Sequence, residues 1–260
     1  MSYPYRSALV TGASSGLGAE FARQLARQGV SLTVVARREA RLKELAAQLT
    51  AEHGVQVDVL AVDLSVPAEL KHTADRLRST TDPVDLLVNC AGFGSAEAFA
   101  QLPLERQARE IAVNVSAPVT LAHAALEQML GRRHGGILNV SSIVSALPMP
   151  KSAVYGAAKA FLTAFGESLY METRAAGIHV TTVQAGLVRT EFHDAAGLDV
   201  SGLPRLAWLQ PAQVVAPALR AVGKGRPAVT PGALNRPQPP VLRALPRPLL
   251  RAMVRQMYQV

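Results

Sequence analysis

The chain has 260 residues, 49% hydrophobic and 18% charged, which suits one large domain or two small ones with a sizeable core. Its net charge of +8 is uneven: residues 201–260 hold nine basic and no acidic side chains, residues 1–200 hold 18 basic and 19 acidic ones. One cysteine excludes an internal disulfide and points to the cytoplasm; no apolar run approaches the ~18 residues of a membrane span.

The first apolar run, residues 8–10, is too short for a signal peptide. Six scattered histidines lack ligand spacing, so no metal is expected. The basic C-terminal stretch has no interleaved aromatics and no recognition motif, so no nucleic-acid partner is expected.

Residues 6–11 read as a short buried strand. Then comes Gly12-Ala-Ser14-Ser15-Gly16-Leu17-Gly18, and a helical pattern through Gln28 with a stop at Gly29. Strand, glycine-rich turn and helix form a phosphate cradle. Gly12 permits the tight turn, Gly16 and Gly18 allow close approach of a pyrophosphate, and the helix N-terminus offers N–H donors. Ser14, Ser15 and Leu17 complete the turn and are expected to touch the dinucleotide.

Residues 31–36 form a second strand. An acid commonly follows it where the adenosine ribose carries no phosphate; here Ala36-Arg37-Arg38 stand instead. Guanidiniums clamp a phosphate bidentately, so NADP is the expected cofactor. Arg37 is the expected contact; Arg38 either joins it or begins a solvated helix over 38–53. A third strand spans 55–61. Beyond it, Asp63 and Leu64 are placed at the adenine, with a helix cap for 65–80 as the competing role of Asp63.

A fourth strand, 84–90, closes on Asn89-Cys90-Ala91-Gly92, where small residues let the strand end lie against the cofactor. Cys90 reads as a packing residue. A long helix is expected over 104–131 with Asn114 in its middle. Asparagine competes for backbone bonds, so Asn114 has either a fixed polar task or is a satisfied core amide. A fifth strand (136–142), a helix (152–176) and a sixth strand (178–183) follow. Alternating strands and helices imply a doubly wound parallel sheet with right-handed crossovers.

Tyr155 and Lys159 lie four apart on the helix over 152–176, one turn apart on one face. A phenol titrates near 10, and a close ammonium is expected to lower it by roughly 2–3 units, into the range of a proton shuttle. Ser142, 13 residues earlier, is placed to hold a carbonyl oxygen while Tyr155 protonates it.

These motifs, Thr11-Gly12-x-x-x-Gly16-x-Gly18, Asn89-x-Ala91-Gly92, Asn114, Ser142 and Tyr155-x-x-x-Lys159, stand together in order and spacing. Across about residues 6–230 the chain resembles the short-chain dehydrogenase/reductase family in its compact form. The resemblance implies a seven-stranded doubly wound sheet and NAD(P)-linked carbonyl or alcohol chemistry. It implies Tyr155 as general acid/base, Ser142 as holder of the substrate oxygen, and Lys159 as tuner of the tyrosine and partner of the nicotinamide ribose. Asn114 would support a proton relay. Gly186, Val188 and Thr190 would meet the nicotinamide amide, although Ala185 replaces the family's usual proline. A homodimer or homotetramer through the helices over 104–131 and 152–176 is implied in the same way.

Residues 187–210 correspond to a substrate lid. Phe192, Leu198, Leu203, Leu206, Trp208 and Leu209, with Val144, Leu147 and Met149, fit an apolar pocket for a lipid-, steroid- or polyketide-like carbonyl, or simply close the fold. The organisation expected is a catalytic domain over 1–232 and a basic tail over 233–260. In that tail Pro248 begins a helix whose apolar side carries Leu249, Met253 and Met257. That side docks either on protein or on an anionic membrane surface. The reading is an NADPH-dependent reductase or alcohol dehydrogenase; the alternative is a dinucleotide-bound sensor without turnover.

Overall fold

A computed structural model describes residues 3–198, 202 and 204–258, and the side chains of all these but Arg243, Met257 and Tyr258. Leu203, expected in the lid, and the Met257 side chain, expected on the tail helix, lie outside the described parts.

The first half alternates strictly: β1 (Ser7–Thr11), α1 (Gly16–Ala26), β2 (Ser31–Ala36), α2 (Glu39–His53), β3 (Val57–Ala61), α3 (Pro67–Arg78) and β4 (Leu86–Asn89). Then follow α4 (Leu104–Ile111), α5 (Ala117–Arg132), β5 (Gly135–Ser142), α6 (Ala153–Thr173) and β6 (Ile178–Ala185). Two short strands, β7 (Leu187–Val188) and β8 (Trp208–Leu209), flank α7 (Phe192–Ala196). The chain continues through α8 (Pro211–Gly223), β9 (Ala228–Val229), α9 (Gln238–Ala244) and α10 (Arg247–Tyr258). No described helix is long and apolar enough to cross a membrane.

Seven parallel strands form one sheet in the order β3-β2-β1-β4-β5-β6-β9. Alternation of side chains across the strands divides the core into two layers. Ala8 and Val10 of β1 and Leu86 and Val88 of β4 face Phe21 and Leu25 of α1, Leu42 of α2 and Val215 of α8. Leu9 and Leu87 face the other way, toward Leu77 of α3 and Leu121 and Met129 of α5. With both faces covered, these strands read as continuous apolar runs. After β3 the strand order jumps from one side of β1 to the other, and the crevice at this switch lies beyond the carboxyl ends of β1 and β4.

The expected helix over 104–131 is broken. Ala112–Ser116 form one π turn, closed by the Ala117 N–H on the Ala112 carbonyl. Pro118 in the first turn of α5 brings no N–H, so the carbonyl of Asn114 lacks its regular α-helical donor. The sequence reading placed no element at α8 or β9. The seventh strand is two residues long, too short for a periodic signal, and is defined by its pairing with Thr182 and Val183.

The tail helix forms, but with a different buried side. Leu250 and Val254 are 1% and 2% exposed, whereas Leu249 and Met253 are 56% and 41% exposed. The stripes 249/253 and 250/254 have the same helical spacing, and only docking chooses between them. Earlier in the tail, α9 packs on the short turn Ile143–Ala146 that follows β5.

Candidate active site

The carboxyl ends of β1 and β4 are stitched together by Thr11. Its hydroxyl accepts from the N–H groups of Cys90 and Ala91, both at 3.0 Å, and donates to the Val88 carbonyl. Gly12 has φ +70°, and a Cβ there would lie 2.9 Å from Ala91 Cα, so both conformation and space demand glycine. Gly16 also has positive φ and lies under Thr190; a Cβ on Gly18 would strike the Gly12 carbonyl. Ser15 gives α1 no side-chain cap, which leaves the first-turn N–H groups for an anion.

The two arginines after β2 diverge. Arg38 turns to the glycine-rich turn: Nε donates to Ser14 Oγ at 3.1 Å and Nη2 to Ser15 Oγ at 2.6 Å. Arg37 instead lies 3.7 Å from Asp63. Arg38, and not the Arg37 expected from sequence, is therefore the guanidinium on the glycine-rich turn. Asp63 accepts from the Ser65 N–H and hydroxyl and pairs with Arg109, so it holds the turn leading into α3. Burial works to raise its carboxyl, but the Ser65 hydrogen bonds and the Arg37 and Arg109 charges hold it below its ordinary value. Leu64 is a buried core side chain.

At the ends of β4 and β5, Asn89 Nδ2 donates to Asn139 Oδ1. Gly92 is pressed against Asn114 and Lys159: a Cβ there would lie 2.7 Å from Asn114 Oδ1 and 3.5 Å from Lys159 Nζ. The Asn114 amide donates to the carbonyls of Phe93 and Glu110, at 2.8 and 2.9 Å, and so clamps the π turn to the loop after β4. Its Nδ2 side thus has a structural task, while its buried Oδ1 has no hydrogen-bond partner among the described residues.

Ser142 ends β5 and donates to the Ala185 carbonyl at 3.2 Å, and its hydroxyl lies near enough to the Tyr155 phenol to act on its proton equilibrium. Lys159 lies beneath, its Nζ donating to the Val140 carbonyl at 2.9 Å and standing 5.5 Å from the Tyr155 ring centroid. Ser142, Tyr155 and Lys159 are therefore brought together, but the electrostatics differ from the expectation. Burial, then the Glu110 carboxylate, push the Tyr155 phenol up from its ordinary value, against a smaller opposing effect of Ser142. Burial also lowers the Lys159 ammonium to about 8. Burial and the Glu110 charge thus set the direction for Tyr155, and the Lys159 ammonium, which donates to the Val140 carbonyl, is not among its causes. Cys90 has its thiol pushed up to about 12 by burial, in keeping with a packing role.

The family model described as short chain dehydrogenase matches residues 6–200. The chain belongs to the short-chain dehydrogenase family. It is 36% identical over 189 residues to a short chain dehydrogenase of Pseudocercospora fijiensis, an alignment covering 72% of this chain and 61% of that longer relative. Among solved structures it is similar to a short-chain dehydrogenase from Sphingobium yanoikuyae in complex with NADPH, with TM-score 0.82 and 32% identity over 93% of this chain and 96% of that one. It is also similar to the bulky-bulky ketone specific alcohol dehydrogenase from Comamonas testosteroni, with TM-score 0.79 and 30% identity over 95% and 96% of the two chains. The protein is an oxidoreductase of this family, and its glycine cradle and uncapped α1 terminus fit a nicotinamide dinucleotide.

In this short-chain dehydrogenase the segment after β6 folds over the tyrosine. The Phe192 ring lies 5.4 Å from that of Tyr155, and Gly94 makes room beneath both. Trp208 packs on His193 and Arg189. Val144 and Leu147 lie on the partly buried turn after Ser142. Gly186 and Val188 line the step from β6 to β7, and Thr190 lies against Gly16.

Four residues with a place at or near this site escaped the sequence reading. Glu110 is 1% exposed and accepts from Ser95 at 3.1 Å. Arg41 and Arg38 both grip Glu191, at 2.7 and 2.9 Å. Asn235 is 6% exposed and abuts Gly186. Only Glu110 had a local signal, an acid four residues before Asn114; the others meet the site through long-range contacts. A separate surface hollow of about 370 Å³, beside β3 and α3, is lined by Thr33, Asp58 and His72 and not by Ser142, Tyr155 or Lys159.

Proposed function

We propose that this protein is an NADPH-dependent carbonyl reductase, or alcohol dehydrogenase in reverse, acting on moderately sized apolar substrates. The observation that carries this reading is the meeting of Ser142, Tyr155 and Lys159 at the crevice, within reach of a cradle flanked by Arg38. NADPH held in the glycine cradle would supply the hydride for the carbonyl carbon. Ser142 turns its hydroxyl from the Ala185 carbonyl to the substrate oxygen, and Tyr155 gives that oxygen a proton. The upward push keeps the Tyr155 phenol protonated, as the donor in the reductive direction must be, but makes it a weaker acid than an ordinary phenol, so negative charge developing on the substrate oxygen has to draw the proton across. Lys159 holds the nicotinamide ribose, and Asn114 keeps the π turn beside it in shape.

Gly12, Ser14, Ser15, Gly16, Leu17 and Gly18 receive the pyrophosphate and adenosine end, with Arg38 and Arg37 toward the 2′-phosphate. Asp63 and Leu64 border the adenine; Asn89, Ala91, Gly92, Gly186, Val188 and Thr190 line the remaining cofactor path. Phe192, Val144, Leu147 and Trp208 offer an apolar wall, and the Comamonas neighbour's preference for bulky ketones supports that substrate class. We further propose a homodimer or homotetramer through α5 and α6, a cytoplasmic setting, and a tail docked on the enzyme. The buried Leu250 and Val254 support docking.

A panel of aliphatic, aromatic, acyl and steroid ketones, followed by nicotinamide absorbance with NADPH and NADH side by side, tests the reading. Turnover of bulky apolar ketones with NADPH is expected. Tight NADPH binding without turnover of any carbonyl would instead support a sensor.

A further inference from the structure

Glu191 is the last residue before α7, yet its carboxylate lies across the fold at the adenosine end of the crevice. Oε2 is 2.9 Å from Arg38 Nη1 and Oε1 is 2.7 Å from Arg41 Nη1. The same Arg38 donates to Ser14 and Ser15 of the glycine-rich turn. Arg38 and Arg41 are three apart, on one face at the start of α2. Two guanidiniums, one of them fixed by two serine hydroxyls, thus converge as an anion clamp, and the anion the guanidiniums hold comes from about 150 residues away. The Arg38 and Arg41 hydrogen bonds keep Glu191 down at about 2, so it is ionised at any neutral pH.

We propose that Glu191 is an internal competitor for the 2′-phosphate of NADPH, a specificity-determining residue that the phosphate displaces from Arg38 and Arg41. The ion pairs are half exposed, 44 to 53% at Arg38, Arg41 and Glu191, so each is weak and exchangeable. A phosphate monoester carries about −1.5 to −2 charges and three acceptor oxygens, and outcompetes one carboxylate for the pair. NADH brings a hydroxyl to the same place and leaves Glu191 seated. Glu191 adjoins Phe192, whose ring lies 5.4 Å from that of Tyr155. This rests on the NADPH reading above.

The test is calorimetric titration of NADPH, NADH and 2′-AMP into wild type and Glu191→Gln at low ionic strength. Glu191→Gln is expected to lower Kd for NADPH and 2′-AMP roughly threefold to tenfold and to leave NADH within about twofold. Unchanged or weaker NADPH binding by the variant overturns the inference, as does equal tightening of NADH. Glu191→Ala repeats the test should the glutamine variant fold poorly. Wild type that binds NADPH no better than NADH overturns the cofactor reading instead; the 2′-AMP arm still decides whether Glu191 competes for the clamp.

Discussion

The ring of Phe192 lies 5.4 Å from the ring of Tyr155, centroid to centroid, at an interplanar angle of 44°. The segment proposed as a lid is thus in contact with the proposed acid, and a ketone entering a site there would have to share or displace that contact. Phe192→Ala is expected to lower kcat/KM for a bulky apolar ketone roughly tenfold, about 1.4 kcal/mol, and for a small ketone much less. An equal loss for both would show that Phe192 supports the fold and not the substrate.

Tyr155→Phe removes one hydroxyl and little packing. Turnover is expected to fall more than about a hundredfold with NADPH affinity nearly unchanged. Steady-state kinetics and a binding titration check this; activity within about tenfold of wild type, or ~1.4 kcal/mol in the barrier, sinks the assignment.

Arg38, which donates to Ser14 and Ser15, and Arg37, which lies by Asp63, differ in what they face. Arg38→Ala is expected to raise the KM for NADPH roughly tenfold and that for NADH little. Arg37→Ala is expected to have the smaller effect. The opposite ranking would restore the order read from sequence.

Lys159 has its ammonium lowered to about 8 by burial. The unfolded chain then holds more protons than the folded one between about 8 and the ordinary lysine value near 10.4. Stability contributed by this group therefore rises with pH through that window, and its full cost is felt below it. Denaturant unfolding from pH 7.5 to 10 should show wild type gaining on Lys159→Met as pH rises. Parallel curves would mean the ammonium is not desolvated.

The tail makes a sharp comparison. Leu250→Ala is expected to cost about 2–5 kcal/mol, because Leu250 is 1% exposed, while Leu249→Ala, at 56% exposure, should stay within about 0.5 kcal/mol. Thermal or denaturant unfolding of the two variants decides which stripe docks.

What the sequence determined by itself was whatever local chemistry encodes. The alternation of apolar strands and amphipathic helices, the glycines that no other residue can replace at Gly12, and the spacing of Ser142, Tyr155 and Lys159 were all legible, and the family with them. These depend on neighbours within a few residues, where periodicity and backbone sterics act directly. The helix over 104–131 was read as unbroken, and Pro118, whose missing N–H accompanies the π turn at Ala112–Ser116, was passed over. Tertiary structure alone decided which arginine faces the turn, which tail stripe is buried, and that Glu191 reaches Arg38 and Arg41. It also decided that the Tyr155 phenol is pushed up, because desolvation and the Glu110 charge depend on everything packed around the ring. Equal helical spacing, or two adjacent guanidiniums, present equivalent local choices, and only long-range packing breaks the tie.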